Sequence, residues 1–310
     1  MPSAFLFPGQ GSQSVGMGKA LADDFAVACG VFAAVDEALG EKLTAVMWGD
    51  EAALTMTANA QPALFAVSMA VLRVLEAEQG LDLATHAAFL AGHSLGEYAA
   101  LAAAGSLDLA DGARLLRLRG EAMQKAVPVG RGAMAALLGL DYEAAAAVAA
   151  EAAEGQVCAA ANDNAPGQVV VSGDAAAVER AIAIAKGRGA KRAILLPVSA
   201  PFHCALMAPA AEIMREALAA TRVRAPVVPV VANVTAAPVE TPDEVRRLLV
   251  AQVTGTVRWR ESVGFMAAHG VDRFVELGAG KVLTGLARRI APDAAALAVG
   301  TPDDVAAFVP

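Results

Sequence analysis

Hydrophobic positions along the chain fall into two rhythms. Short, largely apolar runs at 4–7, 87–91, 227–233 and 273–277 predict strands, the third buried on both faces by its unbroken apolar character. Longer amphipathic or alanine-rich stretches predict helices at 17–29, 30–39, 60–78, 98–104, 108–125, 205–219, 242–252 and 259–269, with a last one ending near 289. Pro62 suits the first turn of its helix and Asp108 suits an N-cap. Strands alternating with helices imply a largely parallel sheet, whose ligands sit beyond the carboxyl ends of the strands. Four loops open at such ends: after Phe7, at Ser94, around His203 and after Leu277.

Between 126 and 198 the order changes. Strand patterns at 132–139, 157–161, 168–172 and 192–197 enclose helical patterns at 142–153 and 175–186. This β-α-β-β-α-β order is the split βαβ of a ferredoxin-like unit. Asn162-Asp163-Asn164-Ala165-Pro166-Gly167 is rich in turn formers and predicts the link between the middle strands. The expected organisation is therefore a discontinuous body, 1–125 and 199–310, carrying an inserted subdomain at 126–198.

Composition narrows the function. The chain has 310 residues, 56% hydrophobic and 18% charged, which suits a compact fold with a large core. Alanine and valine dominate the apolar share, so no membrane span is expected, and 1–9 lacks the basic start of a secretory signal. A net charge of −8 disfavours nucleic acid as a partner. Cys29, Cys158 and Cys204 lack the spacing of a zinc site or disulfide framework, so no metal is expected and a reducing cytoplasm is the expected location. Basic clusters occur at 186–192, at Arg114 and Arg117, and at Arg288-Arg289; such clusters are solvated faces or docking points for an acidic partner.

The chemistry concentrates at Gly92-His93-Ser94-Leu95-Gly96. A G-x-S-x-G sequence between a strand and a helix predicts a sharp bend that lifts the serine hydroxyl to the helix N-terminus, where backbone N–H groups can hold an oxyanion. The flanking glycines suit a bend with little room for a Cβ or with unusual backbone angles. An activated serine needs a base. His86 and His269 lie at polar segment ends and are expected on the surface; His93 adjoins the serine but points elsewhere. His203, in a loop after Pro201-Phe202, follows the serine in chain order as in hydrolases with such an elbow; alone it would be a structural histidine, and beside an elbow serine it is the candidate base. Asp108, Asp111, Asp163 and Asp174 lie between the two but look like caps or turn residues, which leaves a backbone carbonyl to orient the imidazole.

Phe7-Pro8-Gly9-Gln10-Gly11-Ser12-Gln13, Gly92 to Tyr98, Arg119-Gly120, Gly132-Ala133-Met134-Ala135 and Gln252 together resemble the malonyl-CoA:acyl carrier protein transacylase family, from Phe5 to about Ile290. The resemblance implies an α/β fold: an α/β-hydrolase-like parallel-sheet body with an inserted ferredoxin-like subdomain. It implies transfer of malonyl from malonyl-CoA to the pantetheine thiol of holo acyl carrier protein through a malonyl-serine, supplying fatty acid synthesis, with no cofactor beyond the coenzyme A thioester. Ser94 would be the nucleophile and His203 the base and acid. Backbone N–H groups of Gln10 and Leu95 would form the oxyanion hole. Arg119 would bind the free carboxylate as a fork, whereas from the helix pattern alone it is an ordinary solvated arginine. Gln252 would orient His203 through its main-chain carbonyl, and Gln61 would lie near the pocket. Phe202, where some relatives have serine, would crowd out an α-methyl branch; Ala279, in place of a proline, is expected to matter little. Docking of the acidic carrier would use Lys186, Lys191, Arg192 or Arg288, and similar proteins work as monomers. A polyketide-serving malonyltransferase, a serine thioesterase or hydrolase, and a non-catalytic carrier-docking subunit are the alternatives.

Overall fold

The computed structural model describes residues 2–310. Its strands are β1 (Ser3–Phe7), β2 (Ala87–Gly92), β3 (Gly132–Leu138), β4 (Cys158–Ala165), β5 (Gln168–Asp174), β6 (Arg192–Leu195), β7 (Val230–Val231), β8 (Pro238–Val239), β9 (Arg273–Leu277) and β10 (Ala295–Val299). They form a six-stranded sheet, order β10-β9-β1-β2-β7-β8, and a four-stranded sheet, order β4-β5-β3-β6. The larger sheet is parallel except for β8, and the smaller one is antiparallel throughout. The expected parallel-sheet body and separate smaller unit are both present.

Alternation along the strands builds the body. Phe5 and Phe7 of β1 point into one core, with the helices Thr57–Gln79 and Leu109–Ala126. Ala4 and Leu6 point into the opposite core, with Trp259–Ala268 and Val282–Ile290. A strand covered on both faces must be apolar at every position, which is why 4–7 reads as an unbroken run. Thr57–Gln79 is apolar and long enough to cross a bilayer by composition, but 83% of its most apolar window is buried inside the body.

The smaller sheet faces two ways as well. Ala135, Leu137, Val169 and Val171 pack under the helices Tyr142–Ala153 and Ala175–Gly187. Met134 and Val170, on the other face, join the main core. The seam is fastened along β4: the Asp163 N–H donates to the Val257 carbonyl at 2.9 Å, and the Val257 N–H donates to the Ala161 carbonyl at 2.9 Å. A buried Asp163 pairs with Arg260 at 2.8 Å.

That seam corrects the sequence reading of 162–167. Asn162, Asp163 and Asn164 continue β4, and only Pro166-Gly167 makes the turn. Tertiary hydrogen bonds to the 257–260 segment override the local turn preference. Other boundaries moved too. The first helical stretch breaks at Phe25 rather than at Cys29-Gly30, giving Lys19–Asp24 and Ala26–Leu39. The 227–233 run contributes only Val230–Val231 to the sheet, and β10 with the helix Pro302–Ala307 completes the C-terminal edge. His269 is exposed as expected, whereas His86 is half-buried.

Candidate functional site

The bend at Ser94 is as tight as the motif implies, for a more specific reason than glycine flexibility. A Cβ on Gly92 would lie 1.9 Å from the Gly96 carbonyl group, and one on Gly96 would lie 2.2 Å from the Phe7 carbonyl oxygen. The glycines are needed for space; the left-handed backbone belongs to Ser94 itself, at φ 53°. Such a conformation costs a non-glycine residue about 1–3 kcal/mol and persists only where neighbours enforce it. Here Asn233 Oδ1 accepts the Ser94 N–H at 2.7 Å, and Gln252 Nε2 donates to the Ser94 carbonyl at 2.9 Å. Gly96→Ala is expected to cost about 3 kcal/mol or more of stability in urea unfolding, because rigid backbone rather than a movable side chain opposes the new methyl. A loss under about 1 kcal/mol would contradict that reading of the packing.

The predicted residues converge. Ser94 Oγ lies 2.8 Å from His203 Nε2. His203 also has positive φ, 58°, and its Nδ1–H donates to the carbonyls of Gln252 at 2.9 Å and Gly255 at 3.2 Å. Two carbonyl acceptors fix the Nδ1–H tautomer and leave Nε2 free to accept from serine. Of the five aspartates between Ser94 and His203, none joins this pair; Asp141 caps its helix by accepting the Ala144 N–H. Asp108, Asp111, Asp163 and Asp174 bond to Arg224, Arg114, Arg260 and the Val157 N–H respectively. Asp163 is a buried ion-pair partner rather than a turn residue. Burial lowers the pKa of His203 from 6.5 to about 3, with the nearby charge of Arg119 a further cause, so the imidazole is neutral.

Arg119 is 1% exposed, not solvated as the helix pattern alone would have it. Its Nη1 donates to Gln61 Oε1 at 2.7 Å, and its Nη2 donates to Gln252 Oε1 at 2.8 Å and Ser94 Oγ at 3.2 Å. The Tyr98 ring lies beneath it at 5.8 Å, and Nε has no acceptor. A buried guanidinium held by two neutral amides and a hydroxyl has no carboxylate bonded to it as an ion-pair partner. That is the electrostatic state of a site built for an anion.

These groups surround a cavity of about 450 Å³ between the two sheets. Ser94, His203, Arg119, Gln61, Gln10, Leu95 and Phe202 all line it, and Met134, Asn162, Asn164 and Val170 close the side toward the smaller sheet. The backbone N–H groups of Gln10 and Leu95 find no acceptor among the described residues. Gln252 reaches the site from behind through both its carbonyl and its amide. His93 points away from Ser94, as expected, and meets Asn164 Oδ1 at 2.8 Å and the Trp259 ring at 5.5 Å. Sequence reasoning missed Glu97 and Asn233. Both are buried behind the elbow and bonded to each other, Glu97 Oε2 accepting the Asn233 N–H at 2.9 Å. Only the position of Glu97, next to Gly96 and three residues past the motif serine, hinted at a role.

An elbow serine, a neutral imidazole and a buried cation in one cavity define an acyl-transfer site, and the family model for the acyl transferase domain matches residues 4–298. Malonyl CoA-acyl carrier protein transacylase of Escherichia coli K12 is 48% identical over 305 residues, which are 98% of this chain and 97% of that protein. The crystal structure of an acyl-carrier-protein-S-malonyltransferase from Bartonella henselae is 56% identical, with TM-score 0.96 over 99% of this chain and 98% of that one. A malonyl-transacylase solved in complex with a type II PKS acyl-carrier protein is 43% identical, with TM-score 0.95 over 99% of this chain and 98% of that one. The chain belongs to the family of malonyl CoA-acyl carrier protein transacylases.

Proposed function

We propose that this protein moves the malonyl group of malonyl-CoA onto the pantetheine thiol of holo acyl carrier protein, through an ester on Ser94, and so supplies fatty acid synthesis. One observation carries the reading: a buried guanidinium with no carboxylate bonded to it, that of Arg119, lies 3.2 Å from the same serine hydroxyl that meets His203 Nε2. The thioester carbonyl would sit over Ser94, with the free carboxylate forked on Arg119. As Ser94 Oγ attacks the carbonyl carbon, its proton passes to His203 Nε2. The oxygen that gains charge faces the N–H groups of Gln10 and Leu95. The carbon–sulfur bond then breaks, and CoA leaves as a thiol with the proton from His203. In the second half, His203 takes the proton of the pantetheine thiol as its sulfur attacks the ester. Ser94 departs and regains that proton.

Substrate binding improves the base. A carboxylate on Arg119 offsets the positive charge that helps hold His203 near 3, so the imidazole becomes more basic when the correct acyl group arrives. In the free enzyme, protonation removes the base only as pH falls toward the lowered pKa. The acid limb of kcat/KM for malonyl-CoA is therefore expected well below 6.5, the ordinary histidine value. An apparent pKa near 6.5 in that profile would contradict the burial argument.

The strand order β4-β5-β3-β6 supports reading 126–198 as a ferredoxin-like subdomain set into an α/β-hydrolase-like body. The exposed Lys186, Lys191, Arg192 and Arg288 suit docking of an acidic carrier. Phe202, 8% exposed at the cavity wall, suits selection against an α-methyl branch. The reaction draws on no metal or redox cofactor, and a cytoplasmic monomer is the form proposed. Mass spectrometry of a mixture with malonyl-CoA and holo carrier protein tests the assignment. Malonyl on the carrier supports it; free malonate with an unloaded carrier would make the protein a hydrolase.

A further inference from the structure

Behind the elbow lies a buried carboxylic acid that does not line the cavity yet touches the residue that serves it from three directions. Glu97 is 2% exposed, in the first turn of the helix Gly96–Ala103. Its Oε2 accepts from the Asn233 N–H at 2.9 Å and from Gln252 Nε2 at 2.8 Å. The second of these bonds acts with the one from Nε2 to the Ser94 carbonyl to set which way round the Gln252 amide stands. With Nε2 turned toward Glu97 and the Ser94 carbonyl, Oε1 is left facing Arg119 Nη2 at 2.8 Å. An amide rotated by half a turn would set N–H donors against a guanidinium, which is itself donor-only.

We propose that Glu97 is a positioning residue: by holding the Gln252 amide in one orientation, it fixes the Arg119 guanidinium for carboxylate recognition. The inference rests on the reading that Arg119 takes the free carboxylate of the acyl group. Glu97 is suited to the task because it accepts from Gln252 without bonding to Arg119. Burial pushes its carboxyl up to about 7, so near neutrality much of it is protonated and leaves the charge of Arg119 for the substrate. Glutamine at this position reproduces the shape and the acceptor of the protonated acid. Leucine supplies neither acceptor nor constraint.

The test compares acylation of Ser94 by malonyl-CoA and by acetyl-CoA, read by quenched intact-mass analysis on the same preparation of each variant. The ratio of the two rates does not depend on the fraction of protein that folds. Glu97→Leu is expected to lower the malonyl-to-acetyl ratio about tenfold or more, since a charge-assisted hydrogen bond is lost or reversed. Most of that loss should appear in KM for malonyl-CoA. Glu97→Gln is expected to keep the ratio within about threefold of the parent. Should the leucine variant not fold, Glu97→Asp, whose oxygens are withdrawn by about 1.5 Å, must lower the same ratio. An unchanged ratio in Glu97→Leu, or in Glu97→Asp where leucine does not fold, overturns the proposal. So does a Glu97→Gln variant that loses the ratio as fully as leucine. Arg119→Ala, run alongside, separates the two levels: if it too leaves the ratio untouched, the carboxylate reading fails and takes the role of Glu97 with it.

Discussion

His203→Ala is expected to slow acylation of Ser94 by malonyl-CoA about 10⁴-fold, with KM changed far less. The argument follows from the bonding of the imidazole. Nε2 is 2.8 Å from Ser94 Oγ, and Nδ1–H is committed to two carbonyls. Both the tautomer and the direction of the accepting lone pair are thus set before substrate arrives, and alanine removes the acceptor without touching the oxyanion donors or Arg119. A residual rate above that of the uncatalysed reaction should persist, because those donors still hold the carbonyl. The substitution adds little backbone strain of its own, since histidine already occupies φ 58° there. Circular dichroism and a thermal melt would confirm that the fold survives. Quenched intact-mass analysis then gives the rate, and a fall of less than tenfold would remove His203 from the proton transfers. Ser94→Ala, treated in the same way, should acquire no acyl group at all.

How much of this was legible beforehand varied with the range of the interactions involved. The strand read at 4–7 and the elbow were plain, because burial on both faces and the crowding at Gly92 and Gly96 leave marks in consecutive residues. The pairing of Ser94 with His203 followed from chemical need and chain order. Arg119 was different: a helix with Arg114, Arg117 and Arg119 gives no sign of which guanidinium turns inward. Arg117 and Arg119 differ by two positions, yet one reaches Glu41 and Asn59 toward the surface and the other lies sealed against Tyr98. Only the family resemblance singled out the second. The scaffold behind the elbow was invisible for a related reason. Glu97 meets Asn233 across 136 positions and Gln252 across 155, and no local pattern announces contacts of that span. Locally strong signals also misled where distant partners outweighed them, as at Asn162-Asp163-Asn164, which extend β4 because Val257 pairs beside Asn162, Val257 and Arg260 hold Asp163, and His93 meets Asn164.

Arg119→Ala is expected to lower the rate of malonyl transfer about 10²- to 10³-fold while acetyl transfer changes little. The guanidinium is buried, has no carboxylate bonded to it, and sits over an aromatic ring. In the absence of substrate it is therefore a cost to the fold, which the incoming carboxylate turns into two charge-assisted hydrogen bonds. An acetyl group has nothing to place there, so it gains nothing from the arginine and loses nothing with it. A second effect acts in the same sense. The charge of Arg119 contributes to the low pKa of His203, so its removal makes the imidazole a stronger base toward any acyl group lacking its own negative charge. Acetyl acylation in the variant should accordingly match or exceed that of the parent. Removing a buried charge with no ion-pair partner bonded to it should also raise the urea midpoint or leave it unchanged, although the freed amides of Gln61 and Gln252 offset part of the gain. Parallel acylation time courses with the two thioesters decide the matter. Equal losses on both would mean that the arginine supports the serine itself, through the 3.2 Å contact to its hydroxyl, rather than the far end of the substrate.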